Sequence, residues 1–255
     1  MSIANSGHDE NGRYSGGKTG DQTGSEWEVR SWYNRPWDCV ARFDSAVGAD
    51  IAKLAKNAAN NDKIGYDQNQ RTTFWNQLKK VRDYDPKNIT KACEADCSAG
   101  VAAIVKAVGY RKGLPKLKAV SVDLYTGNEV SILKAAGAKI LTDSKYRTSD
   151  AYLLPGDILI NERSHTAINL STGSKAGAAK KVSTVDTKGS TLKYKVTAIG
   201  GLNYRKKAGT THQIMGAFPC GTVVAIDKVT DVNGVKWGRS KKNGYWVCLK
   251  YCEKE

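Results

Sequence analysis

A chain of 255 residues with 40% hydrophobic content is long enough for one sizeable domain and a small second one. Its apolar runs fall well short of the roughly 18 residues that a membrane span needs, so an α-helical membrane protein is excluded. The formal net charge of +15 points to a polyanionic partner, and nucleic acid, an anionic membrane and a teichoic-acid-bearing wall all satisfy charge alone.

The opening stretch, MSIANSGHDENGRYSGG, has neither a basic n-region nor an apolar h-region. Synthesis in the cytosol without a signal peptide is therefore expected, and the six cysteines are read as thiols. Val47, Ile51, Leu54, Ala55 and Ala58 recur at helical spacing, as do Phe74, Leu78 and Val81, which predicts two amphipathic scaffold helices. A third helix is predicted after Asp96 as N-cap, with Gly109 as its stop. Its apolar stripe is Val101, Ile104, Val105 and Val108, and Cys97 lies on that stripe one turn earlier. Following the turn Pro155-Gly156, Asp157 to Ile160 and His165 to Leu170 read as two strands or one bent ribbon, with His165 opening the second.

The segment SKAGAAKKVSTVDTKGST, residues 174–191, is small, polar and Lys-rich and reads as a linker; a long hairpin is the competing reading. The expected layout is a catalytic domain over 1–175, a linker over 176–192 and a tail module over 193–255. Five short β-prone pieces follow the linker: 194–198, 213–218, 222–228, 235–238 and 244–249. They suggest a small barrel. From Lys193 onward twelve Lys/Arg face four Asp/Glu, so the tail is the expected docking surface.

Cys97 carries the chemistry that stands out. A cysteine in the first turn of a helix meets free backbone N–H groups and the positive end of the helix dipole, which favour the thiolate and can also bind an oxyanion. The competing reading is packing on an apolar helix face. Cys93 lies before the helix and is given a structural role. The chain has three histidines; His8 sits in the polar start and His212 in the tail, which leaves His165 in the same domain as Cys97. A Cys followed by a His, hosted by a helix start and a strand start, is the arrangement in which imidazole takes the thiol proton. Cys248 and Cys252 have C-x-x-x-C spacing without further Cys or His around them and are read as thiols, with no metal and no cofactor expected.

The segments CEADCSAGV and PGDILINERSHTAI resemble the NlpC-type, papain-like cell-wall cysteine peptidases, across most of residues 50–172. The stretches IGYDQNQRTTFW and GGKTGDQTGSEWEVRSWYNRPW are similar to segments of endolysins from phages of Gram-positive, especially clostridial, hosts. The implied fold class is α+β: a papain-like catalytic domain with a second, small all-β SH3-like barrel. The tail is similar to bacterial SH3-like domains at Leu202–Arg205, Gly221–Val224, Trp237–Arg239 and Gly244–Val247.

This resemblance implies Cys97 as nucleophile, His165 as base and Tyr66 as a hydrogen-bonding tyrosine beside the nucleophile, although Tyr66 could equally be a core aromatic. Relatives place a third, orienting polar residue on the strand after the histidine strand, where this chain runs into its linker. Asn169 faces the same way as His165 but lies about 13 Å along the strand. In some relatives the block containing GDQTG follows the histidine strand, whereas here it opens the chain; the resemblance therefore implies that residues 2–30 fold back beside the site in permuted order, with Asp21 or Gln22 orienting His165 or lining the oxyanion site, the competing reading being a Gly-flanked turn that both residues hold. In the tail, Tyr204, Trp237 and Tyr245 are the candidate wall-binding aromatics, with Trp246 beside them; each could also be core.

The expected function is hydrolysis of an amide in the wall peptide by an endolysin acting as an endopeptidase. An N-acetylmuramoyl-L-alanine amidase using the same site is the alternative, and a non-catalytic wall-binding protein the reading of another class. The expected partner is peptidoglycan of a Gram-positive, clostridial host, reached after release from the host cytoplasm. Neither membrane nor nucleic acid is expected, since no helix-turn-helix or zinc finger is found. The bond cut, the host range and the oligomeric state are not legible in the sequence.

Overall fold

The computed structural model describes residues 1–176, 185–186, 192–210, 212–232 and 235–255. The chain divides into two compact units, residues 1–177 and 178–255. The linker expected over 176–192 falls almost entirely outside the described residues.

The first unit mixes helices and strands. In chain order it contains β1 (Ser2–Ser6), β2 (Trp27–Ser31), β3 (Cys39–Arg42), α1 (Ser45–Ala58), β4 (Ile64–Tyr66), α2 (Thr73–Leu78), β5 (Cys93–Ala95) and α3 (Cys97–Lys112). There follow α4 (Pro115–Lys118), α5 (Thr126–Ala135), β6 (Lys139–Leu141), α6 (Ser144–Arg147), β7 (Ile158–Asn161) and β8 (His165–Asn169). Six strands form one antiparallel sheet in the order β2-β1-β8-β7-β3-β6, and β4 and β5 make a separate parallel pair.

The alternation of β-strand side chains gives this sheet two apolar faces. Ala4, Ala41, Ile158, Ile160 and Ile168 pack with α1 and α3 in the larger core, while Ile3, Val40, Leu159 and Ala167 pack with Trp37 and Leu153 on the other side. The helical periodicity over 47–58 is realised in α1, whose N-cap Asp44 accepts from the Ala46 and Val47 N–H groups. The second predicted helix is shorter than its apolar pattern: Phe74 and Leu78 are buried in α2, and Val81 lies beyond its end.

α3 begins as expected, with the Asp96 carboxylate accepting from Ala99 N–H at 2.7 Å. It runs past Gly109 to Lys112 and stops at Gly113, whose φ of 67° is the left-handed conformation suited to a helix end. Gly109 serves another purpose. A Cβ there would lie 2.6 Å from the Lys118 nitrogen and 2.7 Å from the Leu117 carbonyl carbon, so the missing side chain lets α4 pack against α3.

In the second unit the described strands are β9 (Val185–Asp186), β10 (Leu192–Val196), β11 (Leu202–Arg205), β12 (Ile214–Phe218), β13 (Val223–Val232), β14 (Val235–Ser240), β15 (Trp246–Cys248) and β16 (Cys252–Lys254). They pair along the path β12-β11-β15-β14-β13-β10-β16, with β9 on β13. Among the described residues the path ends on β12 and β16 and does not close, so the expected barrel is instead an open, curved ladder around Val196, Val224, Ile226, Trp237 and Val247. The register shift between Ile226 and Lys228 marks a bulge in the pairing of β13 with β14.

Candidate active site

β8 is central to the first unit's sheet and His165 is its first residue. Its neighbour β1 pairs with it only through Ile3↔Asn169 and Ala4↔Ile168. Towards the start of β8 the two strands therefore part, and the free space is used by side chains. Asn5, on β1, places its Oδ1 2.8 Å from His165 Nε2, and Tyr33 donates its hydroxyl to the same oxygen at 3.2 Å. A carboxamide oxygen only accepts, so Nε2 carries the imidazole proton and Nδ1 presents the lone pair. Trp37 flanks the ring at a centroid distance of 6.1 Å.

α3 packs against β8 from the other side, and Cys97 opens that helix. The backbone N–H groups of Thr166 and Ser98 lie beside the Cys97 sulfur and favour its ionised form. Burial outweighs them, with the Asp96 carboxylate adding to it, and pushes the Cys97 thiol up to about 12. This corrects the expectation that the helix N-terminus stabilises a resting thiolate. His165 moves the opposite way: burial, helped by the Arg35 and Arg30 guanidinium groups, holds it down to about 4. At neutral pH Cys97 is therefore a thiol and His165 an uncharged imidazole.

The surroundings of Cys97 are fixed by charge. Arg71 binds Asp96 through Nε at 2.6 Å and Nη2 at 3.1 Å, and also donates to Ser98 Oγ and to the Leu124 carbonyl. It thereby ties the start of α3 to the segment before α5. Behind Thr166, the Glu129 carboxyl accepts from the Thr166 hydroxyl at 3.1 Å, and complete burial drives it far above the usual carboxylate range.

A cavity of about 460 Å³ opens beside His165, with Asn5, Tyr66 and Gln68 among its lining residues. Tyr66 is nearly fully buried and accepts from Gln68 Nε2 at 3.2 Å, so its own hydroxyl proton remains available; burial and then Cys97 raise its pKa.

Other candidates fall elsewhere. Asp21 is spent on its own loop, accepting from the N–H groups of Thr23, Gly24, Ser25, Glu26 and Trp27. Gln22 donates to the carbonyls of Thr19 and Gly20. Neither orients His165, because the Gly-flanked turn consumes both side chains. Asn169 is fully buried and donates to the Leu154 and Ser171 carbonyls, bracing the end of β8 rather than the imidazole. Cys93 is buried and donates its thiol to the Lys63 carbonyl. In the second unit Trp237 is only 3% exposed and belongs to the core, which removes it from the wall-contact candidates. Tyr204 and Tyr245 are half-buried and stack at 5.6 Å with an interplanar angle of 3°.

Sequence reasoning missed Asn5, Arg30 and Arg35. Asn5 is the one carboxamide in the strand Ser2–Ser6, which is the one local signal it offers. Among the described residues no group of three or more His, Cys, Asp or Glu is arranged to hold a metal ion, and no helix is long and apolar enough to cross a membrane.

No curated protein matches the chain. Among solved structures it is similar to the cell wall binding domain of the Staphylococcal phage 2638A endolysin, with 26% identity over 23% of this chain and 66% of that one, and a TM-score of 0.20. The family model described as endolysin-like domain matches residues 3–176, nearly the whole of the unit that carries Cys97, His165 and Asn5, and the chain belongs to that family.

Proposed function

We propose that the first unit is a papain-like, NlpC-type cysteine hydrolase of a phage endolysin, cutting an amide in the peptide part of peptidoglycan as an endopeptidase. The observation that supports it is the His165–Asn5 bond: an imidazole on one strand, steered by a carboxamide on the next, with a cysteine at a helix start on the same strand's flank. The fold-back of residues 2–6 supplies what the sequence lacks after β8.

The resting pair is neutral, so ionisation accompanies attack. The Cys97 thiol proton passes to His165 Nδ1 as the sulfur bonds to the amide carbon, and the carbonyl oxygen takes up the negative charge. At the start of α3 the Ala99 and Gly100 N–H groups are already held by Asp96, which leaves those of Cys97 and Ser98, with the Tyr66 hydroxyl, to receive that charge. The imidazolium then protonates the departing amine and the C–N bond breaks, leaving a thioester. Water, deprotonated by His165, attacks the thioester and restores the thiol. Asn5 keeps the ring oriented through both halves.

The second unit is proposed as an SH3-like wall-binding module, with Tyr204 and Tyr245 as its contact aromatics and the Lys/Arg excess drawing it to the anionic wall of a Gram-positive, clostridial host. Digestion of purified clostridial walls by wild type and Cys97→Ala, read by mass spectrometry of the new termini, tests the hydrolase reading. Peptide release by wild type alone is expected. New N-terminal alanine from the glycan junction would reassign the bond to the amidase alternative, and equal release by both proteins would remove the cysteine mechanism.

A further inference from the structure

Cys97 opens α3, and the far end of the same helix carries a cluster of aromatic rings. At about 1.5 Å per residue, Tyr110 stands about 20 Å along the helix from Cys97. Its ring lies 5.0 Å from that of Tyr84 and 5.9 Å from that of Trp75, on α2, and those two are 6.3 Å apart, with interplanar angles of 15–36°. Rings in a column would leave the outer pair about twice as far apart as neighbours, so these three form a triangular plate of near-parallel rings. Tyr110 is 40% exposed, and Trp75 and Tyr84 are partly covered. Tyr84 joins the plate from strained backbone: it and Asp83 have φ of 49° and 57°, the left-handed region that residues with a Cβ enter at a cost. Arg111, next to Tyr110, holds that turn by donating to the Asp83 carbonyl at 2.6 Å. A ring serving only to cover the core is more readily supplied from relaxed backbone.

Cations frame the plate. Lys106 Nζ stands 5.6 Å from the Trp75 ring and Lys118 Nζ 5.3 Å from that of Tyr110. Lys106 is anchored by donating to the Lys118 and Val120 carbonyls, both at 2.8 Å. Residues 106–118 contain five Lys/Arg and no Asp/Glu. Lys112 is paired with Asp50 at 2.7 Å, while Arg111, Lys116 and Lys118 make no ion pair among the described residues. An aromatic face takes the C–H face of a sugar, and an ammonium group with no acid of its own takes a phosphate. We infer that this plate binds an anionic, sugar-bearing polymer of the wall, a glycosylated polyol phosphate, with a sugar on Tyr110 and the flanking phosphates on Lys116 and Lys118. Charge decides the class, since a neutral glycan would leave the run of cations without a counterpart. The inference rests on the reading that the first unit acts at the wall, and it gives that unit a hold on the wall separate from its cleft.

The test is hydroxyl-radical footprinting of the full chain with glucosylated poly(glycerol phosphate) as the probe, the oxidised side chains being located by mass spectrometry. A site-resolved readout is needed because the second unit is also basic. Oxidation of Tyr110 is expected to fall several-fold as polymer is added, while Tyr125, 58% exposed on the same unit, is oxidised as before. Lys116→Gln combined with Lys118→Gln should abolish the protection, and the polymer stripped of its glucose should protect Tyr110 less. Unchanged oxidation of Tyr110, equal protection of Tyr125, protection that survives the lysine changes, equal protection by the stripped polymer, or protection by single-stranded DNA in preference to the wall polymer would each overturn the inference. Wall digestion by the same protein, measured alongside, tells this failure from that of the hydrolase reading. Digestion without protection of Tyr110 sinks only the polymer assignment, whereas protection without digestion sinks only the chemistry.

Discussion

Glu94→Gln is expected to stabilise the protein, and to do so only above mildly acidic pH. Glu94, in the middle of β5, is 1% exposed; its Oε1 accepts from Gly20 N–H at 2.5 Å and its Oε2 has no partner. Glu26, fully buried, accepts from the N–H groups of Gln22 and Tyr66, both at 2.9 Å. A Cβ on Gly65 would lie 2.7 Å from Glu94 Oε2 and 2.8 Å from Glu26 Oε2, so the two oxygens crowd the same bare glycine. Burial, reinforced by Glu26 and Asp67, pushes Glu94 up to about 7 from 4.5, and burial raises Glu26 as well. A raised carboxyl contributes stability that is complete below 4.5 and is lost as pH climbs through about 7. Over that interval the loss amounts to about 3 kcal/mol. Glutamine keeps the acceptor for Gly20, carries no charge, and offers its amide to Glu26. Calorimetric melting of both proteins from pH 4.5 to 9 should show near-equal Tm at the acid end and a variant about 5–10 °C more stable at pH 8 and above. A Tm difference independent of pH, or a variant that loses ground as pH rises, would refute the reasoning.

Replacing Asn5 by alanine frees the imidazole to rotate and should lower kcat about 10²-fold with little change in KM or in the circular dichroism spectrum; Asn5→His, which keeps an acceptor, should recover part of the loss, and an unchanged kcat would dismiss the orienting role. In the proposed mechanism His165 works unprotonated, and burial with the Arg35 and Arg30 guanidinium groups holds its pKa down to about 4. The acid limb of kcat/KM is therefore expected as pH falls through about 4; a limb near 6.5 would show that the cavity does not perturb the ring. Arg35→Gln removes the larger of the two cationic influences on His165 and should shift that limb to higher pH.

What was legible in the sequence is what short-range patterns encode. The apolar period of α1, the Asp96 cap and the strand at His165 follow from neighbours within a few residues, and the scarcity of histidine singled out the one that stands beside α3. Gly109 was misread because a glycine that admits another backbone looks, in one dimension, like a glycine that ends a helix. For Trp237 the wall-contact and core readings both stayed open for a similar reason: an aromatic on a strand gives no sign of which face is covered. The thiolate expectation counted the helix N–H groups and omitted desolvation, which is larger. Asn5 was hidden by distance, since its bond to His165 spans 160 positions and no local rule places the five residues of β1 between β2 and β8.

That span sets an order of events during synthesis. β1 can pair with β2 along all five of its residues as soon as both have left the ribosome, and α3, which carries Cys97, follows while β8 is still unmade. On the proposed reading, a nascent or truncated chain ending before residue 165 would hold the cysteine and a waiting carboxamide but no base, and translation itself would act as the safety catch on the chemistry.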